Sequence, residues 1–81
     1  MSSPPFDHQL DTCGLACPMP LLKAKLALHR LEPGQVLKVI TTDAGSLRDF
    51  PAYLRLSDHQ LLHTFSDAGH YIFWIRRGAN A

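Results

Sequence analysis

The sequence predicts an α+β domain, a two-layer α/β sandwich in the order β-α-β-α-β-β. Its four-stranded mixed sheet would carry both helices on one face. Three observations predict it. Polar and apolar residues alternate before residue 12, apolar residues recur at helical spacing over residues 20–31, and two β-rich runs flank Asp67-Ala68-Gly69, a strong hairpin signal. Right-handed crossovers then bring the two helices to the same face.

Each element has its own signal. From Phe6 to Thr12, the residues Phe6, His8 and Leu10 share one face and Asp7, Gln9 and Asp11 the other, as in a half-buried strand. Pro20 to Leu31 reads as a helix with Leu21, Ala24, Leu28 and Leu31 on one stripe. Glu32-Pro33-Gly34 ends it, because proline cannot continue a helix and glycine accepts the left-handed cap. Gln35 to Thr41 is β-branched and apolar on both faces, which suits a central strand. Asp43 to Ser46 offers caps for a second helix running to about Ser57, with Leu47, Phe50 and Leu54 on its buried face. Pro51 is tolerable there because it falls early in the helix. "QLLHTFS" and "HYIFWIR" supply the last two strands. Strand order does not follow from these patterns.

At 81 residues the chain makes one domain, expected over residues 6–78, with a disordered leader over 1–5 and a short tail over 79–81. A net charge of +1 with 19% charged residues predicts neither a nucleic-acid footprint nor attraction to a membrane surface. No apolar run approaches the roughly 20 residues of a spanning helix, and "MSSPPFDHQ" has no secretory-signal pattern. The expected compartment is the cytoplasm. Thiols stay reduced there, so the two cysteines are weak evidence for a structural disulfide.

Those cysteines lie in "DTCGLACPMP", Asp11 to Pro20. If the first helix begins directly after Cys17, that residue is its N-cap. The helix-start donors then belong to Cys17, Pro18, Met19 and Pro20, and the two prolines have no N–H to leave unpaired. The Met19 N–H would face the Cys17 sulfur, and the helix dipole would lower the thiol pKa. This selects Cys17 as the nucleophile, with Pro18, Met19, Pro20 and Gly14 shaping its turn. Cys13 reads first as a small, partly buried hydrophobe and second as a candidate resolving thiol. No metal is expected, because zinc needs four ligands at recognisable spacing and His8, His29, His59, His63 and His70 are scattered. Nor is there a hydrolytic constellation. A nucleophilic sulfur without an evident substrate pocket points to a substrate carried on another protein.

"LDTCGLACPMPLLKAKLAL" (Leu10 to Leu28) resembles the signature of the TusA/SirA-like sulfur carrier family, Gly-Leu-x-Cys-Pro-x-Pro followed by a helix. "TTDAGSLRDFPAYLR" and "GHYIFWIRRG" continue the likeness. The resemblance implies a sandwich like the C-terminal domain of translation initiation factor 3. It implies a covalent persulfide on Cys17 and no other cofactor. It also implies a cysteine desulfurase or rhodanese-like donor, and an acceptor protein serving tRNA thiolation, molybdenum-cofactor enzymes or sulfur metabolism. Met19 stands where some carriers have Glu.

Two other classes stay open: a redox or regulatory protein using Cys13 and Cys17 as a dithiol, and a non-catalytic protein- or RNA-interaction module. On the first helix, Leu22 and Leu26 lie off the main apolar stripe beside Lys23 and Arg30. They read as core edge or, alternatively, as a partner-docking patch. Asp43, Arg48 and Asp49 approach Cys17 if the second helix starts at the same sheet edge; no catalytic role is assigned to them.

Overall fold

The structure is a computed structural model and describes residues 4–79. Its elements are β1 (His8–Thr12), α1 (Met19–Arg30), β2 (Val36–Thr41), α2 (Ser46–Arg55), β3 (Gln60–Asp67) and β4 (His70–Arg76). Of the expected leader and tail, residues 1–3, 80 and 81 lie outside the described residues. The predicted element order and sandwich are present.

The sheet order is β1-β2-β4-β3. Strands β1 and β2 are parallel, with Thr12 beside Thr41, while β4 runs antiparallel to both β2 and β3. The β2 strand, apolar on both sides, is therefore interior as its composition predicts. Leu62 is the extra residue of a register shift between Leu61 and His63 in the β3 edge strand.

One sheet face carries both helices. Leu37, Val39, Phe73 and Ile75 point into it and meet Ala24, Leu28 and Leu31 of the first helical segment and Phe50 and Leu54 of the second. The Phe50 and Phe73 rings stack with centroids 4.5 Å apart and planes 5° from parallel. Each fully buried side chain of this size contributes about 1.5–3 kcal/mol by leaving water, so this layer is where most of the stabilisation arises. The Lys25 ammonium sits 4.6 Å from the Tyr53 ring centroid and ties the two helices across their exposed side.

Three expectations for the outer residues need correction. Phe6 does not share the core face with Leu10; it precedes the strand and is 41% exposed. The chain bends at Asp7, whose backbone N–H donates to the Val36 carbonyl while its carboxylate accepts the Val36 N–H. The Phe6 ring instead lies 5.1 Å from the Lys38 ammonium, which also approaches Trp74 on the open sheet face. His8 pairs with Leu37 of β2 but is exposed at the sheet edge. Leu47, in the first turn of α2, is likewise exposed and lines an open pocket at the edge of the sheet with Thr64 and Phe65. Helix α2 itself ends at Arg55, two residues short of the expected Ser57.

The hairpin turn is tight. Ala68 (φ 51°) and Gly69 (φ 80°) are both left-handed and join β3 to β4 directly, as a two-residue turn matched to strand twist requires. His59 is a satisfied core histidine, its Nδ1 accepting the Gly78 N–H at 3.0 Å.

Candidate functional site around Cys17

Parallel pairing of β1 with β2 decides what meets at the site. Both strands end at the same sheet edge, so the loops that follow them emerge side by side. They are tied across: the Gly14 N–H donates to Thr42 Oγ1 at 2.9 Å, and Gly14 takes φ +84°, which an L side chain rarely adopts. Beneath them, buried hydroxyls fix the strand ends. Thr12 Oγ1 donates to the Ile40 carbonyl at 2.7 Å. Thr41 Oγ1 accepts the Asp43 N–H at 3.1 Å and lies 3.4 Å from Ser46 Oγ.

Cys17 is not the N-cap of α1. The helix starts at Met19 with Pro18 as N-cap, no side chain caps it, and the Cys17–Pro18 peptide is cis. The Met19 N–H, expected to face the sulfur, donates instead to the Ala16 carbonyl at 2.9 Å. Pro18 and Pro20 do fill two of the four donor positions at the helix start with residues that have no N–H. The helix begins one residue after the Pro18 start that a Cys17 N-cap requires, and the Met19 N–H is taken up in the Ala16–Met19 turn. Pro20 is buried against the core, whereas Met19 is exposed.

The partner of Cys17 comes from the other helix. Cys17 Sγ donates to Asp49 Oδ2 at 2.7 Å, across 32 residues of sequence. Asp49 lies in the first turn of α2, and its Oδ1 accepts from Arg48 Nε at 3.3 Å. Asp43 stands nearby in the preceding loop, with one buried carboxylate oxygen that has no hydrogen-bond partner among the described residues. Gly45 allows this approach: a Cβ there would meet the Asp43 carboxylate at 3.0 Å and the Cys17 Cβ at 3.6 Å.

The electrostatic consequence reverses the expected one. The hydrogen bond to Asp49 raises the Cys17 thiol pKa, aided by desolvation and by the charges of Asp49 and Asp43, with Arg48 opposing them. Asp49 is held below the usual carboxylate range, first by the Cys17 hydrogen bond and then by Arg48. Exposed Cys17 is thus a thiol leaning on a carboxylate.

Cys13 is also exposed and is not a partly buried hydrophobe. It ends the strand at a turn, where its N–H donates to Asp11 Oδ1 at 2.9 Å. A thiol hydrogen bond to the same carboxylate is the main cause of its raised pKa. Leu22 and Leu26, 45% and 62% exposed, are not core edge either. With Met19 they form an apolar strip along α1, and Lys23 and Arg30 line a shallow groove beside it with Leu10 and Ala27. Among the described residues no three His, Cys, Asp or Glu side chains converge to hold a metal. No described helix is long and apolar enough to cross a membrane.

The family described as Sulfurtransferase TusA matches residues 8–77, nearly all of the described chain. The chain belongs to the TusA family. TusA relatives include the sulfur carrier protein TusA of Allochromatium vinosum, 42% identical over 72 residues and covering 89% of this chain and 95% of that protein. The sulfur carrier protein TusA of Pseudomonas fluorescens is 40% identical over 75 residues, covering 93% and 90% respectively. Among solved structures, a SirA-like protein from Desulfitobacterium hafniense superposes with a TM-score of 0.77 at 27% identity, over 89% of this chain and 99% of that one. The resemblance read from the Cys-Pro-x-Pro segment and the sandwich architecture therefore hold. Asp49 is the site residue that sequence reasoning left without a role. Its signal was topological: two right-handed β-α units on parallel strands bring both helix starts to one sheet edge.

Proposed function

We propose that this protein is a sulfur carrier whose Cys17 accepts a sulfane sulfur as a covalent persulfide and hands it to an acceptor protein. The observation that carries the reading is the exposed Cys17 in the Cys-Pro-Met-Pro turn of a TusA-family chain. The donor is a cysteine desulfurase or a rhodanese-like protein bearing a persulfide, R–S–SH. The Cys17 sulfur attacks the outer sulfur, the donor S–S bond breaks, and the donor thiolate leaves and takes the proton. The products are Cys17–S–SH and R–SH, with no net oxidation or reduction. Delivery repeats the exchange with Cys17 as the leaving thiol. The acceptor serves tRNA thiolation, molybdenum-cofactor enzyme maturation or another branch of sulfur metabolism.

The docking surface is the α1 strip of Met19, Leu22 and Leu26, flanked by Lys23 and Arg30. An exposed apolar strip beside a nucleophile suits a protein partner better than a small molecule, and the basic flank favours an acidic rim on that partner. Charge reversal at Lys23 and Arg30 slows transfer from a protein donor and leaves loading by inorganic polysulfide unchanged.

The test is intact mass spectrometry after incubation with a cysteine desulfurase and cysteine. The protein gains the mass of one sulfur atom, Cys17→Ser abolishes the gain, and Cys13→Ser preserves it. A gain that survives Cys17→Ser refutes the assignment. Loss in both variants, with a Cys13–Cys17 disulfide in the wild type, selects the dithiol reading instead.

A further inference from the structure

We propose that Asp49 is a positioning residue that holds Cys17 as a protonated thiol in the undocked carrier, and that Arg48 moderates this hold. The inference deepens the carrier reading and rests on Cys17 being the carrier sulfur.

The geometry argues for it directly. An ionised carboxylate has lone pairs and no proton to give, so a sulfur 2.7 Å from Asp49 Oδ2 must itself carry the shared hydrogen. Removing that proton would set two anions against each other at the same distance, with Asp43 as a third nearby. Asp49, Asp43 and Arg48 are the charged groups that act on the sulfur: Asp43 from the β2–α2 loop, the other two from the first turn of α2. The chain's own remedy is weak. Arg48 engages the far carboxylate oxygen, Oδ1, and its side chain is 83% exposed, so water screens much of its charge.

The arrangement suits a carrier that should meet its donor before it reacts. An exposed thiolate is the form that alkylators and oxidants attack, and thiolate character governs such side reactions. A carboxylate that keeps the proton on sulfur suppresses them. Loading by the donor still conserves protons, because the hydrogen lost from Cys17 ends on the donor thiol. Asp49 is neither consumed nor required to keep it.

The experiment measures the rate of Cys17 alkylation by iodoacetamide against pH, in a Cys13→Ser background so that one thiol reports. Asp49→Asn keeps the shape and an acceptor oxygen but removes the charge. Its midpoint falls toward that of ordinary cysteine, and its rate at pH 7 rises severalfold. Arg48→Ala moves the midpoint the other way, and Asp49→Glu stays above Asp49→Asn. Shifts of opposite sign at adjacent residues are not produced by loosened structure. A midpoint in Asp49→Asn that is unchanged or higher overturns the proposal, whatever the sulfur-loading result. Loading that survives Cys17→Ser overturns the carrier reading while leaving the alkylation profile to be judged alone.

Discussion

Replacing Thr41 by valine should both weaken the fold and loosen the site. Thr41 is fully buried, and its Oγ1 accepts the Asp43 N–H at 3.1 Å and faces Ser46 Oγ at 3.4 Å. Valine keeps the shape and deletes the acceptor. Each buried group left without a partner costs about 1–3 kcal/mol, although the Ser46 contact is long and its hydroxyl can rotate. Burying a methyl in place of a hydroxyl returns somewhat under about 1 kcal/mol. The net expectation is a loss of about 1–2 kcal/mol, against a total stability of about 4–12 kcal/mol for a domain of this size. With a urea slope near 1 kcal/mol/M, the midpoint falls by about 1–2 M. Adding Ser46→Ala removes the stranded hydroxyl, so the double variant should lose less than the two single variants together. The same Asp43–Ser46 turn sets where α2 begins, and hence where Asp49 meets the sulfur. The alkylation midpoint of Cys17 in Thr41→Val should therefore drift toward that of an ordinary cysteine. A urea midpoint within error of the wild type, with an unmoved alkylation profile, would refute the claim that this hydroxyl positions the site.

Three further outcomes follow from the packing and from the titration of His59. Phe50→Ala removes the ring stacked on Phe73 in the fully buried layer and should cost about 3–5 kcal/mol, read as a large drop in thermal midpoint with the far-ultraviolet spectrum retained at low temperature. Ala68→Gly should raise stability by up to about 1 kcal/mol, because Ala68 occupies φ 51° where a Cβ is penalised; urea unfolding shows it. Burial, then the Arg77 charge, lower the pKa of His59, so the unfolded chain binds its proton first as pH falls. That contribution is complete above about pH 6.5, the unfolded value, and is lost as pH drops through the folded one. His59→Asn, which can still accept the Gly78 N–H, should flatten the acid limb of a stability-versus-pH curve.

The fold was legible because its signals were local. Helical spacing in α1, apolarity on both faces of β2 and the hairpin at Ala68-Gly69 each depend on neighbouring residues, and each appears where the pattern placed it. Phe6 and Leu47 were misplaced for a common reason. Both sit at an element end, where the layer packed against the sheet gives out and the face that periodicity assigns is left uncovered. The site was half legible. Cys17 stood out because prolines at positions 18 and 20 announce a helix start, but the residue that sets its proton lies 32 positions away. Reading the thiol from its own helix gave the wrong sign, since the nearest full charge is the Asp49 carboxylate and a direct hydrogen bond outweighs a helix-end partial charge.

The sheet order has a consequence for how the chain is made. Strand β4 is the last element in sequence yet sits inside the sheet, between β2 and β3. During synthesis, β1, α1, β2 and α2 are complete while the seam they must close against is still missing. The β2–β4 pairing joins residues 36–41 to 71–76 and closes a loop of some thirty residues before it repays that cost. Until then Leu37 and Val39 have no sheet neighbour on one side, and the incomplete chain presents an open apolar edge. A ribosome stalled before residue 70 would therefore hold a chain without a native core, and the carrier's thiol site would form only as the final strand enters.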